Sequence, residues 1–233
     1  AVQDILPTNP MGLVSIQPFH TNEPELIGGV SRLTSEPSSV PILVGSNQNE
    51  MTLFTALGYL AVSDESDYEG IFDILSFDPE TEARVRSLYN LETHGTYRKA
   101  IEALGTDTVF TCPTMAFATA VSQTDTPIYV YNFRLGLGPA LSFAGATHGA
   151  EIPFVFNTGE ARLYGLPIVV NDEQAKQFQD VWTEFARFGA PPRELDWPAF
   201  GTTSNAIMAL EDDWRLIPNE YVMRCALLDR AVY

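Results

Sequence analysis

Lysine is almost absent from this chain. Of its 13 basic residues only Lys99 and Lys176 are lysines, against 30 acidic residues, for a formal net charge of −17. A surface this acidic repels phosphate backbones and offers no polybasic handle to anionic lipid, so no nucleic acid partner is expected. It could steer a cationic substrate or simply solubilise the protein. No apolar run approaches the ~20 residues that cross a bilayer, so no membrane span is expected. No signal peptide and no initiator methionine open the chain at Ala1, as in a processed or truncated piece. Histidine is scarce as well: His20, His94 and His148 are the three. His148-x-x-Glu151 has the i, i+3 spacing of some di-iron sites, but those need two such pairs on helices. No metal and no cofactor are expected. The two cysteines, Cys112 and Cys225, read on composition as buried free thiols. There is no N-x-S/T sequon.

What is present suits one large domain or two small ones, with no evident boundary between them. Hydrophobic residues are 45% and aromatic residues 11% of 233, enough for a sizeable core. Residues 1–40 read as irregular surface chain with a short extended piece at 13–16. Val40-Pro41-Ile42-Leu43-Val44-Gly45 reads as a strand buried on both faces, as in a parallel sheet. Its carboxyl end runs into Ser46-Asn47-Gln48-Asn49-Glu50, the place where open α/β sheets keep their chemistry. A short helix is expected at 51–60 and an exposed acidic stretch at 64–73. Asp78-Pro79-Glu80 signals a helix start. Amphipathic segments follow to 90 and over 96–104, and Asp107 is placed to cap a helix carrying Val109, Phe110, Met115, Phe117 and Val121. The aromatic and β-branched run 127–133 reads as a buried strand. Asp172 is placed to cap a helix to Phe188, stopped by Gly189. Residues 207–210 read as an edge strand, and Pro218 as the opening of a last helix that carries Cys225.

Between the second strand and the apolar run 152–156 stands Gly145-Ala146-Thr147-His148-Gly149-Ala150-Glu151. Its small residues let the backbone turn tightly and leave an imidazole uncovered. A nucleophilic hydrolase needs a nucleophile, a base and a group that orients the base. His148 suits the base and Glu50 the orienting acid. Each also has a plain reading, as an ordinary loop histidine and a solvated loop acid.

Four collinear segments carry a resemblance. Val40 to Glu50 resembles the segment around the catalytic acid of type-B carboxylesterases and cholinesterases, an apolar strand followed by G-x-N-x-x-E. Gly145 to Phe156 is similar to their G-x-x-H-G-x-E and apolar run. Trp182-Thr183-Glu184-Phe185-Ala186-Arg187-Phe188-Gly189-Ala190-Pro191 with Trp197-Pro198 resembles their late W-x-x-F-A-x-x-G-x-P … W-P stretch. Asp107-x-x-Phe110-x-Cys112-Pro113 also fits. The likeness runs from about residue 40 to the end. Ile16-Gln17-Pro18-Phe19 is a looser match, without the family's D-G.

The resemblance implies the C-terminal part of an α/β-hydrolase fold, with a mixed, mostly parallel sheet flanked by helices. It implies a serine carboxylic ester hydrolase in which Glu50 is the triad acid, His148 the base and Glu151 a further acid beside it. Met51, Leu53, Phe54 and Leu57 then fall along the substrate pocket. Met51 stands where the family has glycine. Two of the other three are leucine, which implies an apolar ester pocket rather than a choline site; core packing is the other reading of these residues. The resemblance also implies a Cys112–Cys225 disulfide, worth roughly 4–5 kcal/mol in the chain-entropy model, and with it a secreted or extracellular location.

The nucleophile is missing. No serine sits in G-x-S-x-G, and no H-G-G-G oxyanion loop occurs. The chain is therefore expected to be the C-terminal portion of a single domain. The serine, the oxyanion hole and further strands would come from an N-terminal fragment of the same precursor, and the substrate would be a small-molecule ester. Alone, the piece would expose a sheet edge and would not be a stable monomer. A cholinesterase-like binding or adhesion domain that has lost catalysis is the alternative.

Overall fold

The computed structural model describes residues 40–75, 77–158, 162–163, 165–201 and 205–232. The readings of 13–16 and 16–19 lie outside the described residues. Among the described residues four strands make one sheet: β1 (Ile42–Asn47), β2 (Ile128–Phe133), β3 (Ile207–Leu210) and β4 (Arg215–Ile217), in that order. β1 pairs parallel with β2, β2 parallel with β3, and β3 antiparallel with β4. Around the sheet run α1 (Thr52–Ala56), α2 (Glu65–Leu75), α3 (Pro79–Leu88), α4 (Tyr97–Thr106), α5 (Cys112–Val121), α6 (Ile152–Phe156), α7 (Asp172–Phe188) and α8 (Val222–Val232). This mixed, mostly parallel sheet flanked by helices is the α/β class expected, and it is consistent with part of an α/β-hydrolase fold.

Alternation along β2 sorts the sheet's two faces. Ile128 and Val130, with Ile207 and Ala209 of β3, pack on Met115, Ala118 and Val121 of α5. Phe133, with Met208 and Leu210, packs on Phe154 of α6 and on Phe178 and Val181 of α7. Tyr131 lies across β1 on this second face. A Cβ on Gly45 would come within 2.3 Å of its ring, so glycine is what lets the ring lie there. A third cluster, away from the sheet, gathers Phe72, Val85, Tyr89, Ile101, Leu104 and Leu228.

Several expectations are corrected. The stretch at 64–73 is not exposed throughout: it forms most of α2, which buries Tyr68, Ile71 and Phe72 at helical spacing while its acids face outward. Residues 207–210 are not an edge strand; β4 pairs on their outer side and all four are buried. Asn171, not Asp172, caps α7, accepting from the Glu173 and Gln174 N–H groups; Gly189 at φ 72° ends that helix as expected. Asp78 does cap α3, and Thr96 is found to cap α4. The last helix begins at Val222 rather than Pro218.

Asp107 is not a cap. α4 runs through one π-helical turn, Asp107–Thr111, straight into α5, and the Cys112 N–H donates to the Asp107 carbonyl. The Asp107 side chain points into the helical core, where it accepts from the Tyr89 hydroxyl at 2.6 Å and lies 3.0 Å from Arg224 Nε. Burial pushes its carboxyl pKa up, and the Arg224 charge and the Tyr89 hydrogen bond oppose that push.

Cys112 and Cys225 form a disulfide that ties α5 to α8 across 113 residues. Replacing both by alanine should lower stability by up to about 4–5 kcal/mol, read as a fall in Tm of the intact protein. An unchanged Tm would mean that the helical core already restrains these helices.

Candidate active site

The parallel register sets Asn47 opposite Phe133, so the chain leaves β1 and β2 at the same edge of the sheet. The Gln48 N–H still donates to the Phe133 carbonyl, at 2.9 Å. The first loop then turns back on itself. The Asn47 backbone N–H donates to Glu50 Oε1 at 2.7 Å and fixes that carboxylate inside the loop. Glu50 is 5% exposed.

The second loop is brought up by a clasp. The Asn49 N–H donates to the Ala146 carbonyl at 3.0 Å, and the Ala146 N–H donates to Asn49 Oδ1 at 3.2 Å. Gly145, at φ 59°, makes this approach possible; a Cβ there would stand 2.5 Å from Asn49 Oδ1. Thr52 Oγ1 donates to the Ala144 carbonyl, and the Leu53 N–H donates to Thr147 Oγ1 at 3.0 Å.

The clasp brings together two side chains 98 residues apart: His148 Nδ1 lies 2.8 Å from Glu50 Oε2. The His148 side chain is 45% exposed, so its ring is anchored on one edge and open elsewhere. The hydrogen bond to Glu50 raises the imidazole pKa above its ordinary value. Partial burial opposes this, and the charges of Glu50 and Glu151 add to it. A neutral ring that donates Nδ1–H to Glu50 keeps its Nε2 lone pair for a proton, the arrangement a general base needs.

Glu151 stands beside this pair without replacing Glu50 on the ring. Its Oε2 accepts from Asn47 Nδ2 at 2.6 Å, and the same nitrogen donates to the Thr147 carbonyl at 2.7 Å. Of the apolar residues placed along the pocket, Phe54 has its ring 5.6 Å from the imidazole. Leu53 is half-buried, and Leu57 is exposed at the end of α1. Met51 is 1% exposed and lies in the helical core, against Gly105.

Phe110 was not singled out as a site residue. Its ring lies 5.1 Å from His148 and 6.4 Å from Phe54, so the two phenylalanines form an apolar wall beside the imidazole. It reaches there from the π-helical turn, a feature with no pattern in the sequence. Asn47 and Thr147 were missed too; an asparagine between a strand end and a site acid was the available signal. A cavity of about 440 Å³ between α5 and α8, lined by Met115, Thr119 and Tyr221 among others, includes none of these residues. Among the described residues, no group of three or more His, Cys, Asp or Glu could hold a metal ion. No described helix is long and apolar enough to cross a membrane.

A profile described as the Carboxylesterase family matches residues 4–227. The chain belongs to the carboxylesterase family. Its similarity to individual relatives is distant. It is 28% identical over 210 residues to the Crystal protein of Dictyostelium discoideum, covering 83% of this chain and 38% of that one. It is 26% identical over 190 residues to an inactive carboxylesterase-like protein, VdtD, of Byssochlamys spectabilis, covering 73% of this chain and 32% of that one. Human carboxylesterase 3 is 25% identical over 222 residues, 84% of this chain and 35% of that protein. The chain thus spans about a third of the length of the curated relatives it matches.

Replacing Glu50 by glutamine removes the charge that raises the His148 pKa, so the imidazole should titrate at lower pH. NMR titration of the ring in the intact protein reads this. A midpoint unchanged in Glu50→Gln would show that the carboxylate does not govern His148.

Proposed function

We propose that this chain supplies the acid and the base of a serine carboxylic ester hydrolase. The hydrogen bond between Glu50 Oε2 and His148 Nδ1, buried at the acid and open at the base, carries the proposal. In the assembled enzyme a serine from a segment outside these 233 residues attacks the ester carbonyl. His148 Nε2 takes the serine proton as the new C–O bond forms. It returns that proton to the departing alcohol as the tetrahedral adduct collapses to the acyl-enzyme. A water then repeats the sequence and releases the acid. Glu50 holds the ring in one tautomer and offsets the charge of the imidazolium. Backbone amides from the same outside segment stabilise the oxyanion. Phe54 and Phe110 offer the ester an apolar wall beside the imidazole.

The partner in this proposal is an N-terminal portion of the same precursor. β1 ends the sheet among the described residues, so a further strand can pair along it. The similarity to only about a third of each relative supports an enzyme larger than this piece. The Cys112–Cys225 bridge favours an oxidising, extracellular compartment.

A non-catalytic binding domain is the second reading, favoured by the likeness to a relative named as inactive. A fluorescent fluorophosphonate, applied to the protein as purified from its source and followed by a denaturing gel, separates the two. Label on an attached or associated N-terminal portion supports the esterase. His148→Ala should then cut ester turnover by about 10⁴-fold or more with little change in Tm. Absence of label on any chain, with no ester turnover, would leave the binding domain.

A further inference from the structure

We propose that Asn47 is a positioning residue that holds His148 and Glu151 in register with Glu50, so that the imidazole faces one carboxylate partner instead of two. Three hydrogen bonds from this one residue bear on three others. Its backbone N–H donates to Glu50 Oε1 at 2.7 Å, on the far side of the carboxylate from His148. Its side-chain Nδ2 donates both to the Thr147 carbonyl, in the peptide that leads into His148, and to Glu151 Oε2. Asn47 is 3% exposed, so water has little access to replace either side-chain bond if the amide is removed.

The chemistry of the position is specific to a short neutral amide. Both amide protons are used, one on a carbonyl and one on a carboxylate. A serine has one proton to give and an alanine none. An aspartate would bring a third carboxylate against Glu50 and Glu151. The groups around the imidazole leave little else to respond. Glu50 faces it from the first loop, and Glu151 contributes its charge from the second. The neutral rings of Phe54 and Phe110 come from α1 and the π-helical turn. Nearby on β2 is the Tyr131 phenol, whose pKa is pushed up by burial and then by the charges of Glu151 and Glu50, so it stays protonated. With Asn47 in place, Glu151 Oε2 has a donor and is tied to the end of β1. Without it, Glu151 is an unpartnered carboxylate one turn from His148.

The inference rests on the acid–base reading of Glu50 and His148, but its test does not need turnover. The His148 ring is titrated by NMR in the intact protein, as wild type, Asn47→Ala, Glu151→Gln and the double variant. Asn47→Ala should raise the imidazole midpoint by about half a unit or more, because a freed carboxylate favours the protonated ring. Glu151→Gln keeps an acceptor for Asn47 and should move the midpoint slightly down. In the double variant the rise should disappear. A midpoint that stays put in Asn47→Ala, or a rise that survives Glu151→Gln, overturns the proposal even if Tm falls. Should Asn47→Ala fail to fold, Asn47→Leu, close in volume and without a side-chain donor, is read by the same criteria. An esterase-inactive wild type with the predicted shifts would sink the esterase reading and keep this one; an active wild type with no shift would do the reverse.

Discussion

The parallel pairing of β1 with β2 is the constraint on which the site depends. Parallel strands discharge their chains at the same edge, and the register that sets Asn47 against Phe133 puts the two following loops side by side. Nothing local to either loop would bring Glu50 and His148 together across 98 residues of chain. Once the strands are paired, the Asn49–Ala146 clasp and the Leu53–Thr147 contact have a span of only a few ångströms to close. The side chain of Gly45 is absent for the same reason: Tyr131 of β2 must cross β1 to fill the α7 side of the sheet.

Burial is divided unevenly between acid and base, and the chemistry follows from that division. Glu50 is inside and satisfied, with one oxygen on a backbone amide and the other on the imidazole. These donors stand in for the water that burial removes from the carboxylate oxygens. His148 is only half covered, so it remains accessible while its pKa is tuned from behind. The raised pKa also fixes the sign of the linkage to folding. The pair contributes fully to stability below the ordinary imidazole pKa, and that contribution is lost as pH rises through the raised one.

The helical layer does more than fill space. α4 and α5 form one continuous rod, interrupted by a π-helical turn that projects Phe110 to the imidazole while Thr111 meets Ser46. The same turn places Asp107 between Tyr89 and Arg224, in the core that the disulfide closes. One local irregularity in a helix therefore touches both the stability of the helical layer and the apolar wall of the site. Local propensity gives no warning of it, which is why a cap was expected at Asp107. A buried aspartate with a tyrosine and an arginine for company has nothing in its neighbouring residues to mark it.

Sequence by itself determined three of the four strands described in the sheet, several helix ends and the two loops that carry chemistry. Apolar runs, a cap such as Asp78 and a glycine stop such as Gly189 act over a few residues, so they can be read there. The motifs around Glu50 and His148 were legible for the same reason. Whether 64–73 lay exposed throughout or buried one face, and whether 207–210 lay at an edge or inside the sheet, depended on neighbours far along the chain. So did the choice of Phe54 over Leu57 beside the imidazole, the entry of Phe110, and the placing of Asn47 between two carboxylates. Hydrogen bonds and packing act over ångströms in space, and only the folded sheet decides which residues come within that range.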